Sequence, residues 1–196
     1  CIRDRVTVMP GSRPAEISGC GAIFFEALER LIKRTGPVTV LVPAINEEAE
    51  KNLLQLAHGY PNVQSSLIVK VGESHKMIEA ADAVLVASGT AALECALYKK
   101  PMVVGYKMPG LTGLLMEKKG LINCVSLPNI LLKEKVVPEF LQFFCEPDPI
   151  SWALSDAIEN DKRRAELVER FSALHESLTA DTAALASDVI TSIAHK

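Results

Sequence analysis

Three short runs in this chain, Val40-Leu41-Val42, Ala83–Ala87 (AVLVA) and Met102–Tyr106 (MVVGY), are apolar without alternation. A strand with one wet face alternates apolar and polar residues, so strands of this kind must be covered on both faces. Runs like these recur along the chain and alternate with stretches of helical periodicity. Strands are predicted at Arg5–Met9, Val38–Val42, Leu67–Val71, Ala83–Ala87, Met102–Tyr106 and Asn123–Ser126. Helices are predicted between them, at Ile17–Arg34, Glu47–Gly59, Ser74–Ala81, Thr90–Tyr98 and Leu111–Lys119. Alternation of this kind implies an α/β fold, a Rossmann-like, doubly wound parallel sheet with right-handed crossovers.

Beyond Pro128 no further strand is expected. Val136–Phe144 reads as a short helix and Cys145–Pro149 (CEPDP) as a breaker. Three helices should follow, near Ile150–Asn160, Asp161–Leu178 and Ala180–Ala194. Residues 151–196 hold 5 Lys+Arg against 8 Asp+Glu, whereas residues 1–150 balance at 16 against 16. The chain therefore divides into a Rossmann-like domain at 1–147 and a helical tail at 148–196. Leu167, Phe171, Leu174 and Leu178 recur at helical spacing. That face needs a partner: this sheet, a missing domain, or another subunit of a homodimer.

With 196 residues the chain can bury roughly 70% of its unfolded surface. A net charge of −3 argues against a nucleic-acid binder, which should be basic. No apolar stretch reaches the roughly 18 residues that a membrane span requires, although a mean hydropathy of +0.19 suits a protein that touches lipid. Five cysteines, at 1, 20, 95, 124 and 145, include no C-x-x-C pair, and the four histidines lack ligand spacing. No disulfide framework or metal site is expected, and the cysteines should act as small hydrophobes in a reducing compartment. A start at Cys1, with neither Met nor a leader pattern, suggests a piece of a longer or processed protein.

Doubly wound sheets bind ligands at the carboxyl ends of their strands. The first such end reads Met9-Pro10-Gly11-Ser12-Arg13 and runs into a helix. Pro10 and Gly11 shape a turn, Ser12 offers a hydroxyl, and Arg13 offers a fork of donors suited to phosphate. Ser12 could equally be only a helix cap. The motif is neither G-x-G-x-x-G nor a P-loop, so nicotinamide and ATP lack their usual signatures. The fourth strand ends in Ser88-Gly89-Thr90-Ala91, small residues opening a helix whose free amides suit an anion. Glu94, one turn further, can accept from two ribose hydroxyls, or it can simply complement the helix dipole. Phosphate near Thr90, ribose at Glu94 and Arg13 over the diphosphate make a sugar-nucleotide site.

Three segments, MPGSRPAEI, ASGTAALECALYKKPMVVGYK and SLPNILLKEKVVPEFLQ, occur in that order. In these the chain resembles the second half of the lipid-A-disaccharide synthase family, with Met9 where the family has Leu. The resemblance implies an inverting, metal-independent glycosyltransferase of the GT-B type that needs no cofactor. Such an enzyme transfers 2,3-diacylglucosamine from its UDP derivative to 2,3-diacylglucosamine 1-phosphate (lipid X). It does so at the cytoplasmic face of the inner membrane of Gram-negative bacteria. Carried onto this sequence, the resemblance makes Arg13 and the Ser88–Ala91 loop the diphosphate binders and Glu94 the ribose ligand, with Gly11 and Ser12 also expected to bind substrate. It sets uracil against the backbone of Val71 and Gly72, and Asn129 close to the donor sugar. The general base is expected in the N-terminal domain, so no catalytic residue is assigned here.

Lys107, Lys118 and Lys119 flank Leu111, Leu114, Leu115 and Met116, a pattern for a helix at an anionic lipid surface or for a core helix with solvated lysines. Two competing functions remain open. A UDP-sugar 2-epimerase shares this logic but should carry a Gly-Gly pair where Ser88-Gly89-Thr90 stands. A non-catalytic sugar-nucleotide-binding or dimerisation module would use the same loops.

Overall fold

A computed structural model of the chain describes residues 5–107, 124–179, 186–187 and 190–193. The first part runs β1 (Arg5–Met9), α1 (Pro14–Thr35), β2 (Thr39–Ala44), α2 (Glu47–Ala57), α3 (Pro61–Ser66), β3 (Leu67–Val71) and α4 (Ser74–Ala80). It continues through β4 (Ala83–Ala87), α5 (Thr90–Leu97), β5 (Met102–Tyr106), α6 (Leu127–Leu132), β6 (Glu139–Leu141), α7 (Pro147–Glu159) and α8 (Asp161–Leu178). The six strands form one parallel sheet in the order β3-β2-β1-β4-β5-β6. The doubly wound α/β class follows, and β1 to β5 lie within two residues of their predicted places.

The unbroken apolar runs have the expected cause. Leu85 and Val103 point into a core built from Phe24, Phe25 and Leu28 of α1 with Ile150 and Leu154 of α7. Their neighbours Val84, Val86 and Val104 point the other way, to Ile78, Cys95, Leu167, Phe171 and Leu174. The two tail helices therefore contribute fully buried side chains to opposite faces of the sheet. Gly105 interrupts β5 for a packing reason: a Cβ there would come within 2.5 Å of the Phe24 ring.

Two expectations fail at the sheet's far edge. Residues 124–126 are irregular and lead into α6, so the strand predicted at Asn123–Ser126 is not there; Asn123 itself lies outside the described residues. The sixth strand is Glu139–Leu141, inside the stretch predicted as a helix at 136–144. Pro138 explains the difference. It lacks an N–H and holds the preceding residue extended, which opposes a helix, while an edge strand tolerates it. Its carbonyl accepts the Val104 N–H at 3.0 Å, and Glu139 then falls in register with Val104. The short helix α3 was not anticipated either. The helix predicted at Leu111–Lys119, with its flanking Lys118 and Lys119, and most of the last tail helix lie outside the described residues. No helix among the described residues is long and apolar enough to cross a membrane.

One buried charge ties the first half together. Glu29 of α1 is 3% exposed and accepts from the Asn62 N–H (3.1 Å), the Val63 N–H (3.2 Å) and the Asn62 side-chain amide. It thus satisfies the first-turn amides of α3, which no side chain of α3 caps.

Candidate functional site

Strand order reverses between β1 and β4, with β2 and β3 on one side and β5 and β6 on the other. The crevice at such a switch point is where doubly wound sheets hold ligands. Met9 pairs with Val86, so the loops leaving β1 and β4 begin side by side. These are the two loops singled out from the sequence.

In the first loop Gly11 adopts φ +117°, a conformation open to glycine, and a Cβ there would sit 2.5 Å from Glu16 Cβ. The helix begins at Pro14 with Arg13 as its N-cap, so Ser12 is not the cap. Glu16, at the third helical position, does that work instead. Its Oε2 accepts from the Ser12 N–H (3.0 Å) and the Arg13 N–H (3.3 Å), the reciprocal half of a capping box. Arg13 itself is 80% exposed and only loosely paired, its Nη1 lying 3.6 Å from Glu16 Oε1.

In the second loop Gly89 (φ +155°) is the N-cap of α5, and no side chain caps that helix. Gly89 and Thr90 are exposed, while Ser88 and Ala91 are half-buried. The Ser88 hydroxyl donates to the Val125 carbonyl at 3.2 Å, tying this loop to the segment entering α6. Glu94, half-exposed, has its Oε2 3.6 Å from His75 Nε2. His75 belongs to α4, which follows β3, so the helices leaving β3 and β4 meet here across the two strands between them. Val71 and Gly72 are exposed at the end of β3, with Gly72 at φ +73° and its N–H donating to the Ala44 carbonyl.

Asn129 has a structural part. Its side chain is fully buried, and its amide nitrogen donates to the Val137 carbonyl (2.9 Å) and to Glu139 Oε1 (2.7 Å). Its oxygen accepts the Val137 N–H at 3.0 Å. With those groups engaged, the side chain fastens α6 to the segment before β6. Sequence reasoning missed Glu16 and Glu139. The spacing of Glu16 three residues beyond Arg13 was a readable signal, whereas Glu139 sat in a stretch taken as helix. Burial pushes the Cys95 thiol up to about 12 and the Cys145 thiol up to about 11, so neither supplies a thiolate near neutral pH.

Among solved structures, the C-terminal CMP-Kdo binding domain of WaaA from Acinetobacter baumannii superposes with a TM-score of 0.58 at 14% identity, over 91% of this chain and 90% of that one. TarM superposes with a TM-score of 0.62 at 13% identity, over 95% of this chain and 34% of that one. The fold is that of a Rossmann-like domain of the GT-B glycosyltransferases. Residues 3–190 match the family model described as lipid-A-disaccharide synthetase, and the chain belongs to that family. It is 40% identical over 185 residues to the lipid-A-disaccharide synthase of Cupriavidus pinatubonensis, covering 94% of this chain and 46% of that protein. Against the Paraburkholderia phymatum enzyme it is 38% identical over 188 residues, covering 96% and 48%. The chain thus spans about half the length of the curated relatives it matches.

Proposed function

We propose that this chain is the donor-binding half of a glycosyltransferase that moves 2,3-diacylglucosamine from UDP-2,3-diacylglucosamine to the 6-hydroxyl of lipid X. The supporting observation is that family membership coincides with two small-residue loops and an exposed arginine meeting at the sheet's switch point. In this reading the acceptor oxygen attacks the anomeric carbon with inversion as the bond to the UDP β-phosphate breaks. Arg13 and the amides opening α5 take up the charge that develops on the departing diphosphate, the usual source of rate in such a step. Glu94 holds the ribose through its two vicinal hydroxyls, and the ends of β3 and α4 hold the base. The acceptor's proton goes to a base supplied by the rest of the longer protein. The acyl chains place the whole enzyme at the cytoplasmic face of the inner membrane.

The chain alone should therefore be stabilised by UDP yet form no disaccharide. Thermal melts should rise with UDP, by about 2.7 kcal/mol at a hundredfold excess over Kd. Turnover by this chain at the longer protein's rate would place the base within residues 1–196. No UDP release by the longer protein with both diacylated sugars would refute the activity itself.

Arg13→Lys should impair UDP binding nearly as much as Arg13→Ala, by roughly 1.5–3 kcal/mol, because a point charge does not replace a planar fork. Calorimetric titration checks this, and unchanged affinity in the lysine variant would remove Arg13 from the site. Glu94→Gln should weaken UDP by about 1–3 kcal/mol, since an amide turns a donor towards one ribose hydroxyl. Pyrophosphate, which has no ribose, should bind as before. Equal losses for both ligands would mean that Glu94 does not touch the sugar.

A further inference from the structure

Glu139 has figured in the site only as a partner of Asn129, yet its carboxylate accepts four hydrogen bonds. Its Oε1 accepts from the Ser126 hydroxyl (2.6 Å), the Ser126 N–H (3.0 Å) and the Asn129 amide (2.7 Å). Its Oε2 accepts from the Val125 N–H at 2.9 Å. Ser126 and Asn129 are themselves fully buried. Three of these four donors converge on Oε1. The position of Glu139 is decided by the edge strand: it faces Val104 across the ladder and reaches the segment that enters α6.

That segment carries the consequence. Val125, whose N–H is held by Oε2, presents its carbonyl to the Ser88 hydroxyl. A chain of contacts therefore runs from β6 through Glu139 and Val125 to the loop at the end of β4. We infer that Glu139 is a positioning residue for the Ser88–Ala91 diphosphate loop, acting through the Val125 carbonyl. The inference rests on the proposed donor site and adds to it a residue that touches no ligand. A carboxylate is required because all four partners are donors. In Glu139→Gln the amide oxygen can keep the three donors at Oε1, while the new NH2 group opposes the Val125 N–H. The substitution so releases Val125, whose carbonyl accepts from Ser88.

The test is a binding cycle on this chain with UDP, pyrophosphate and uridine. Glu139→Gln should weaken UDP and pyrophosphate in parallel, by about three- to tenfold, the worth of one hydrogen bond, and leave uridine unchanged. Combined with Ser88→Ala, it should add no further loss, because the path it acts through is already cut. Multiplying losses in the double variant would overturn the inference, as would no loss in the single variant or an equal loss for uridine. Should Glu139→Gln fail to fold, Ser126→Ala, which removes one donor from the same carboxylate, should show the same selective loss. An unselective loss, or none, in that variant would overturn the inference as well. A parent chain that binds neither UDP nor pyrophosphate would refute the donor-site reading and take this inference with it.

Discussion

Phe171→Ala is expected to destabilise the chain by about 3–5 kcal/mol, the cost of removing a fully buried aromatic side chain and leaving a cavity. Phe171 is 0% exposed, and it lies between Leu167 and Leu174 on the face of α8 that meets Val84, Met102 and Val104 of the sheet and Cys95 of α5. At the size of this chain the loss corresponds to a fall in melting temperature of roughly 6–20 °C. Val168, on the outer side of the same helix and 39% exposed, provides the control; Val168→Ala should stay within about 0.5 kcal/mol. Urea denaturation of the three proteins decides the matter. Equal midpoints for the two variants would mean that α8 does not pack on this sheet in solution. A chain ending at residue 147 would lose Ile150, Leu154, Leu167, Phe171 and Leu174 together. We expect it not to fold.

Glu29→Ala should cost about 2–4 kcal/mol, because the Asn62 and Val63 amides would remain buried without an acceptor. The effect should depend on pH in a defined direction. Burial pushes the Glu29 carboxyl up, but hydrogen bonds from Asn62 and Val63 and the nearby Lys33 ammonium outweigh it, and the group lies below the ordinary value of 4.5. A carboxyl lowered by folding contributes stability that is complete above its unfolded value and is lost as pH falls through the folded one. The gap in melting temperature between parent and alanine variant should therefore be widest near neutrality and narrow in acid. A gap that holds constant into strong acid would show that the charge on Glu29 has no role in holding α3.

Residue by residue, the site divides by the kind of signal each position carries. Pro10-Gly11-Ser12-Arg13 and Ser88-Gly89-Thr90-Ala91 were legible because a turn that lets backbone approach a ligand needs small residues at a strand's end, and that need is local. Glu94 was singled out by its place one helical turn downstream. The structural part of Asn129 was not legible, because a ligand contact and a buried clamp use the same amide. Only burial and the distance to Val137 and Glu139 tell them apart. His75 could not be placed beside Glu94 from sequence, since 19 positions separate them and the sheet brings them to 3.6 Å.

By itself the sequence determined the class of fold and five of its six strands. Residues apolar on both sides can be covered only between two helical layers, and that constraint is written into each run separately. It also singled out the rim where the candidate site lies, since parallel strands put every loop of one kind at one rim. Tertiary structure alone decided the sixth strand. Glu139, Phe140 and Leu141 are each only half-buried, so no pattern of burial marks them, and they become a strand by pairing with β5. It alone decided the roles of Glu29 and Glu139 too. A carboxylate's function depends on which amides the fold brings to it, and the partners of Glu29 come from 33 and 34 residues away. The surface that receives the tail was decided in the same way. An apolar helical stripe records only that something must cover it, and the identity of the cover is a property of the assembled sheet.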